Sequence, residues 1–215
     1  ESLQNAIATK HALNSDQIIC GTGSDEILIF TVLAFGSPGD EVIHAQHGFE
    51  MYPIVTKYAG AESVLASEID YKISINSIMD KLSDATKIIL IANPNNPTST
   101  YLTQAELRLL MSKIPNNIVV VIDMAYAEFA DANDYDKTFS LADEYDNVII
   151  TRTFSKAYSL AGLRLGWGYA SRSLINMIKK LRPPFNLPPG AIAAGIAALS
   201  DDNHLSKVVN HNNNI

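Results

Sequence analysis

Cysteine, basic residues and long apolar runs are all scarce in this sequence. Cys20 is the only cysteine among 215 residues, so no disulfide can form within the chain, and we expect a reducing compartment, the cytoplasm. The 16 lysines and arginines are outnumbered by 23 acidic residues, for a net charge of −7, which disfavours a nucleic-acid-binding surface. The longest apolar runs, 27–35 and 191–199, reach about half of the length that crosses a bilayer, so we expect no membrane span.

What the sequence does contain is typical of an ordered domain. Hydrophobic residues make up 47% of the chain and charged residues 18%, the balance of a globular domain and not of a disordered chain. Short apolar runs rich in β-branched residues alternate with helical patterns. The predicted strands are 17–20, 41–45, 62–66, 87–92, 118–123, 148–151 and 166–170. The predicted helices are 2–12, 25–35, 49–58, 73–82, 104–112, 172–181 and 191–199; the segment 204–209 is also helix-like, and 211–215 has the look of a frayed end.

The predicted strands are almost entirely apolar, most clearly 87–92 and 118–123. Such strands are usually buried on both faces, in a parallel sheet that helices cover. We therefore predict an α/β fold of the doubly wound type, a three-layer α/β/α sandwich with a mostly parallel sheet. Ligands of such sheets bind beyond the carboxyl ends of the strands. Thr103 and Glu106 form a capping-box signature for the helix that follows.

Lys156 follows a predicted strand and lies just behind two hydroxyl residues, Thr153 and Ser155. Taken alone, such a lysine is more often a solvated side chain than a catalytic one. Arg164 comes eight residues later, between Gly162 and Gly166, and these glycines permit tight turns around it. A guanidinium close to hydroxyl groups suits a phosphate. The segment therefore offers an amine and a phosphate-binding group close together.

Asp123 ends an apolar strand, and Tyr126 lies three residues further on. A buried acid is costly unless a cation pairs with it. A protonated pyridine nitrogen is such a cation, and the acid would strengthen the ring as an electron acceptor. Helix capping and metal binding are the alternatives. No His or Cys lies at metal-ligand spacing, so we predict no metal site.

Three further segments could contribute to a ligand site. The Gly-rich stretch 21–25 is neither a P-loop nor a complete dinucleotide fingerprint; Ser24 or Asp25 could cap the following helix, or the helix start could hold an anion. Phe49 could be a core residue or could lie flat on a planar cofactor. The segment 93–98 has the composition of a turn, and an asparagine amide in it could donate to a phenolate oxygen on a bound ring.

These segments, in this order, resemble those of the fold-type-I aminotransferases that use pyridoxal 5'-phosphate (PLP), and most of all the histidinol-phosphate aminotransferase branch. The resemblance covers essentially the whole chain, and the Ser-Lys…Gly-Leu-Arg-Leu-Gly segment is its most specific part. The motifs that carry it are Gly23-Ser-Asp-Glu26, Phe49-Glu-Met-Tyr52, Asn93-Pro-Asn-Asn-Pro-Thr98, the stretch 122–129, the stretch 151–166 and Pro184-Phe-Asn186.

The resemblance implies roles for the residues around the cofactor ring. Lys156 matches the lysine that forms the Schiff base and then moves the proton during transfer. Asp123 matches the partner of the pyridine nitrogen, Tyr126 and Asn96 match the pair that binds the ring hydroxyl oxygen, and Phe49 matches the stacking aromatic residue.

The resemblance also implies a phosphate site and the partners of the reaction. The phosphate site comprises Gly23, Ser24, Asp25, Thr153, Ser155 and Arg164. An amino donor and a 2-oxo acid such as 2-oxoglutarate would react in turn, in a ping-pong transfer. A homodimer with sites at its interface is implied as well.

Two positions depart from the family pattern, and the chain is shorter than its members. Ser99 stands where the family has Gly, which makes the turn more costly, and Met124 replaces a frequent Glu. Residues 1–200 are expected to form the PLP-binding large domain, and 201–215 to begin a connection to a small domain. We expect the chain to be a fragment that lacks an N-terminal segment and this small domain, which in the family supplies an arginine for the substrate carboxylate.

Three alternatives to amino transfer remain at this point. A different reaction on the same fold is one, either decarboxylation of a phosphorylated amino acid or transfer from an aromatic amino acid. A truncated domain that binds PLP without turnover is the second. The third is a nucleotide-binding α/β domain, which the incomplete glycine motifs disfavour.

Overall fold

The strands occur where the sequence predicts them, with ends shifted by one or two residues. The computed structural model describes residues 1–214. It contains nine strands over this range: β1 Ile18–Gly21, β2 Glu41–Ala45, β3 Glu62–Ala66, β4 Glu68–Ile69, β5 Lys72–Ile73, β6 Thr86–Ala92, β7 Val119–Asp123, β8 Val148–Thr153 and β9 Gly166–Ala170.

The helices also follow the predicted pattern. They are α1 Ser2–His11, α2 Ser24–Phe35, α3 Met51–Tyr58, α4 Ile75–Lys81, α5 Gln104–Met111, α6 Ser140–Glu144, α7 Arg172–Lys179, α8 Pro189–Ser200 and α9 Asp202–Asn213, with short 3₁₀ helices at Ser15–Gln17, Ala127–Phe129 and Ala161–Leu163. The capping box of α5 is present as predicted, because Thr103 and Glu106 each accept a backbone N–H of the other. Within residues 1–214, no helix is both long and apolar enough to cross a membrane.

Seven strands form one sheet in the order β1-β9-β8-β7-β6-β2-β3. The pairs from β8 through β7, β6 and β2 to β3 are parallel. Strand β9 runs antiparallel to both of its neighbours, β8 and β1. The predicted, mostly parallel sheet is therefore confirmed, with one reversed strand close to its edge.

Helices cover both faces of this sheet, which confirms the three-layer sandwich. Alternate residues of β6 show this: Ile89 and Ile91 pack into the core under α1, α4, α5 and α8, whereas Ile88 and Leu90 pack into the core under α2, α3 and α7. Burial on both faces explains why the central strands are apolar at nearly every position.

Some features were not predicted. The hairpin of β4 and β5 has Asp70 and Tyr71 at its tip, both with positive φ; this turn type usually contains Gly, and without one the residue pattern does not predict the turn. Helix α6 is only five residues long. Helix α3 begins at Met51 and not at the predicted residue 49, which puts Pro53 in its first turn, where a missing N–H costs nothing.

The carboxyl-terminal end differs most from the prediction. Helix α9 spans Asp202–Asn213, so it is longer than the predicted 204–209, and the predicted fraying is wrong for residues 211–213. Ile215 lies outside the described residues. Asp201 caps the helix by accepting the N–H of His204, which explains its start. The division into a large domain, 1–200, and a connection, 201–215, stays a prediction.

Candidate active site

A cleft lies at the carboxyl ends of β6, β7 and β8, beside the amino-terminal end of α2. Parallel strands end at one edge of their sheet, so side chains that follow different strands meet there. The residues that line the cleft are Ser24, Asp25, Phe49, Ala92, Pro94, Asn96, Asp123, Ala125, Tyr126, Thr153, Ser155, Lys156 and Arg164. The structure thus brings together every residue predicted for the site except Gly23, which is not among the lining residues but is the N-cap of the helix that begins at Ser24.

Asp123 is the buried acid of this cleft, with an exposed fraction of 3%. One of its carboxylate oxygens accepts from Thr151 Oγ1 at 2.8 Å, and the other accepts from the Tyr52 hydroxyl at 3.4 Å. It belongs to none of the ion pairs found within residues 1–214. Burial raises the pKa of Asp123 to about 6. The carboxylate is therefore oriented by its neighbours and has no protein cation as a partner.

Lys156 lies on a tight turn that follows β8. The turn is closed by the Ser159 N–H, which donates to the Lys156 carbonyl at 2.9 Å, and by the Leu160 N–H, which donates to the Phe154 carbonyl. Phe154 is buried and anchors the turn in the core, whereas Lys156 is exposed to the cleft. Its Nζ atom lies 5.1 Å from the centroid of the Tyr126 ring. The amine is thus accessible and close to a second cleft residue.

The start of α2 forms one wall of the cleft. The N-cap is Gly23, with φ 84° and no side-chain cap hydrogen bond. The interpretation of Ser24 or Asp25 as a side-chain cap is therefore wrong, because glycine takes the cap position and both residues lie inside the helix. The free N–H groups of the first turn remain available to an anion.

Arg164, in the segment between β8 and β9, contributes to the same wall of the cleft. Its guanidinium donates to Ser155 Oγ at 3.3 Å and to an Asp25 carboxylate oxygen at 3.2 Å. Thr153 Oγ1 accepts the Ser155 N–H at 3.1 Å. A helix start, a guanidinium and two hydroxyl groups therefore surround one corner of the cleft, the chemistry that suits a phosphate.

Gly166 allows β9 to pass very close to the start of α2. A Cβ atom there would overlap the Ser24 nitrogen and the Gly23 carbonyl carbon, so β9 can pass behind the start of α2 only without a side chain. Gly162, by contrast, has open space around its Cα. Of the two glycines that flank Arg164, only Gly166 is sterically required.

The three asparagines of the loop after β6 have different surroundings. Asn93 is buried, and its side chain bonds both backbone groups of Leu102. Asn95 donates to the His47 carbonyl and to Thr98. Asn96 is the one of the three that lines the cleft. The Asn93–Pro94 and Asn96–Pro97 peptide bonds are cis.

The two departures from the family pattern are accommodated. Ser99 adopts a φ of 59°, the left-handed conformation that glycine would adopt more easily. Met124 is buried in the hydrophobic core at 2% exposure, next to Asp123 in sequence but on the opposite face of the sheet.

Sequence reasoning missed two residues that contact the site, Tyr52 and Thr151. Tyr52 is 1% exposed and packs edge-on against Phe49, with ring centroids 5.8 Å apart. Tyr52 belongs to a quoted motif and Thr151 pairs with Asp123 across the sheet. Because Thr151 lies on the strand next to that of Asp123, its contact could have been predicted from the strand order. The contact of Tyr52 with Asp123 is visible only in the folded structure.

The residues of the cleft fit PLP in their chemistry. The cofactor needs an acid for its ring nitrogen, an amine for its aldehyde, an anion site for its phosphate and an aromatic side chain for its ring face. Asp123 is a buried acid that lacks a cation, Lys156 is an accessible amine and Phe49 is a cleft-lining aromatic residue. Across residues 1–214, no cluster of three or more His, Cys, Asp or Glu could hold a metal ion.

Fold and cleft together define an α/β protein of the aminotransferase type. The chain belongs to the aminotransferase class I and II family, whose sequence model matches residues 1–214.

Two curated relatives and one solved structure illustrate the similarity. The chain is 45% identical over 210 residues to histidinol-phosphate aminotransferase from Maricaulis maris, covering 98% of this chain and 58% of the relative. It is 47% identical over 200 residues to the enzyme of that name from Roseobacter denitrificans, covering 93% and 55%. The crystal structure of histidinol-phosphate aminotransferase from Sinorhizobium meliloti, in complex with PLP, superposes with a TM-score of 0.91 at 27% identity over 96% of this chain and 56% of that one. The chain thus spans little more than half the length of these relatives.

Proposed function

We propose that this chain binds PLP and contributes the cofactor site of an aminotransferase. The observation that carries the proposal is the pairing of a buried, cation-free Asp123 with an accessible Lys156 in one cleft. The acid alone suits many ligands, and the amine alone is ordinary. Their placement together, beside a corner of the cleft that suits a phosphate, supports PLP as the ligand.

Each side chain then has a task that its position supports. When bound, PLP withdraws electrons and so stabilises negative charge on the substrate carbon that loses its proton. Asp123 would accept the N–H of the ring nitrogen and so favour its protonated form, and Phe49 would pack on the ring face. Lys156 would hold the cofactor covalently through its amine, and the same amine would be the base that accepts the substrate Cα proton and the acid that returns it.

The remaining cleft residues orient the cofactor. Tyr126 and Asn96 would donate to the ring oxygen. The N–H groups of Ser24 and Asp25 would bind the phosphate, and Arg164 would be its cation. Gly23, Thr153 and Ser155 would complete this corner, and their contacts would fix the position of the ring relative to Lys156.

The substrates and the assembly extend this proposal. Relatives named histidinol-phosphate aminotransferase support histidinol phosphate as the amino compound, with a 2-oxo acid such as 2-oxoglutarate as its counterpart. We also infer a homodimer and, from the single buried thiol of Cys20, a cytoplasmic location.

Absorption spectroscopy with borohydride trapping tests cofactor binding. We expect the purified chain to take up PLP with a visible band that borohydride removes, and mass spectrometry to locate the label on Lys156. Lys156→Ala should lose the band and the label, whereas Lys57→Ala, which removes an exposed lysine on α3, should keep both. Equal labelling of the Lys156→Ala chain would contradict the proposal.

Single-turnover experiments then test the reaction. Histidinol phosphate should convert bound PLP to its amine form, and 2-oxoglutarate should restore it, with Lys156→Ala slower by at least about 10²-fold. Release of CO₂ from a phosphorylated amino acid would identify a decarboxylase instead, and faster conversion by an aromatic amino acid would identify an aromatic aminotransferase.

A further inference from the structure

The carboxylate of Asp123 is held at both oxygens by neutral hydroxyl donors. Thr151 reaches it from the adjacent strand β8, at 2.8 Å, and Tyr52 reaches it from α3, at 3.4 Å. Both donors are buried and neither lines the cleft. They therefore contact the acid from behind and leave its cleft-facing lone pairs available to a ligand.

Tyr52 also contacts the aromatic residue of the cleft. Its ring meets that of Phe49 edge-to-face, at 5.8 Å and 85°, a favourable geometry for two aromatic rings. Tyr52 is fully enclosed and cannot turn away without disturbing the core under α2 and α3. One side chain thus touches both the acid and the ring-packing residue of the site.

We propose that Tyr52 and Thr151 are positioning residues, which fix the direction in which Asp123 presents its carboxylate to the cofactor ring. Tyr52 in addition sets the distance between that carboxylate and Phe49, and hence the slot into which a planar ring fits. This inference rests on the proposed function, because it concerns the same cofactor site.

The charges around Asp123 agree with this arrangement. Burial raises its pKa to about 6, the hydroxyls of Thr151 and Tyr52 lower it, and the negative charge of Asp25 on α2 raises it. Tyr126 and Lys156 face the same cleft. Burial, followed by Asp123 itself, raises the pKa of Tyr52 well above its usual value. Tyr52 therefore keeps its proton and remains a donor over the whole physiological pH range.

Substitutions that remove only a hydroxyl test the inference. Tyr52→Phe keeps the ring that packs on Phe49, and Thr151→Val keeps the shape of the threonine. Thr151→Ser retains the donor and serves as the conservative rescue. Two control variants lose a hydroxyl elsewhere: Tyr58→Phe at an exposed position on α3, and Thr31→Val, a buried threonine that bonds only its own helix.

The first measurement is the titration of Asp123 by carboxyl ¹³C NMR on the full chain without added cofactor. We expect its pKa to rise above the wild-type value in Tyr52→Phe and in Thr151→Val, because each loses a hydrogen bond to the charged form. Thr151→Ser and both controls should match the wild type. An unchanged Asp123 pKa in both test variants would overturn the inference, whether or not the chain binds PLP.

The second measurement is the affinity of the folded variants for PLP, together with the absorption band of the bound cofactor. We expect the dissociation constant to rise about threefold to tenfold in Tyr52→Phe and about tenfold in Thr151→Val, with a displaced band in both. If both variants bind PLP as tightly as the wild type, the two hydroxyls do not affect how Asp123 meets the cofactor ring, and this part of the inference is wrong. Absence of PLP binding by the wild type, with a normal NMR result, would contradict the proposed function and leave the orientation of Asp123 supported.

Discussion

Arg152 and Glu128 form a buried ion pair, with 3.2 Å between Nη1 and Oε1 and side chains that are only 6% and 12% exposed. The pair joins β8 to the short helix that follows Tyr126. A second guanidinium nitrogen donates to the Lys137 carbonyl at 2.7 Å, and the guanidinium carbon lies 5.2 Å from the Phe139 ring centroid. Two segments that carry cleft residues are thus held together away from the cleft.

Removal of one member of this pair should destabilise the chain strongly. Glu128→Gln leaves the charge of Arg152 buried without compensation, which costs about 3 kcal/mol or more. The exposed pair of Arg108 with Glu144 provides the control, since Glu144→Gln should cost less than about 1 kcal/mol. Urea unfolding monitored by circular dichroism measures both values. Equal losses in the two variants would contradict the role of burial.

Asp123 should make the cofactor-free chain less stable as the pH rises. Burial raises its pKa from 3.8 to about 6 in the folded state, so the folded chain binds this proton more tightly than the unfolded chain does. Its stabilising contribution is complete below about pH 4 and is lost as the pH rises through about 6. Relative to wild type, Asp123→Asn should therefore gain up to about 3 kcal/mol between pH 4 and pH 7.

This difference is measured by urea unfolding of both proteins across that pH range without PLP, so that the other titrating groups cancel. If the difference in free energy of unfolding between Asp123→Asn and the wild type is the same at every pH, the pKa of Asp123 is not raised in the folded chain and the prediction is wrong.

Gly166 and Gly162 should respond very differently to the same substitution. Gly166→Ala puts a Cβ against the backbone of Gly23 and Ser24, so either β9 or the start of α2 must move. We expect a loss of PLP binding and a fall in stability of about 2 kcal/mol or more. Gly162→Ala meets no atom within 4 Å and should retain both properties. Thermal unfolding and PLP titration of the two variants provide the comparison.

Arg164 should contribute to affinity for the phosphate and little to stability. It is half-exposed, and so its ion pair with Asp25 is worth less than about 1 kcal/mol. Arg164→Gln should bind PLP about tenfold to a hundredfold more weakly, because a charged hydrogen bond is lost. Pyridoxal, which lacks the phosphate, should bind both proteins equally. An equal loss of affinity for the two compounds would assign Arg164 to the ring and not to the phosphate.

The sequence was sufficient to predict which residues meet at the edge of the sheet. Asp123 and Lys156 follow separate apolar strands, and parallel strands end at one edge, so their proximity required no knowledge of the fold in detail. Asn96 was distinguished from its neighbours by the family resemblance, and the structure supplies the physical reason, since Asn93 and Asn95 are occupied by backbone contacts.

Other parts of the site depend on packing, which a local pattern does not contain. Tyr52 lies 71 residues before Asp123. Its position in the helical pattern of α3 is that of an ordinary core residue, so the pattern does not predict its contact with Asp123. Gly23 and Ser24 are both favoured N-cap residues, so composition could not decide between them. The hairpin at Asp70 and Tyr71 lacks the glycine that would have predicted it.

The position of the reversed strand β9 affects the order in which the cleft is assembled during folding. Gly21 and Gly166 are partners in the pairing of β1 with β9, although roughly 145 residues separate them along the chain. The wall of the cleft at the start of α2, against which Gly166 lies, is therefore complete only after β9 has been synthesised and has docked between β1 and β8. Growing chains on the ribosome lack this wall of the cleft until then.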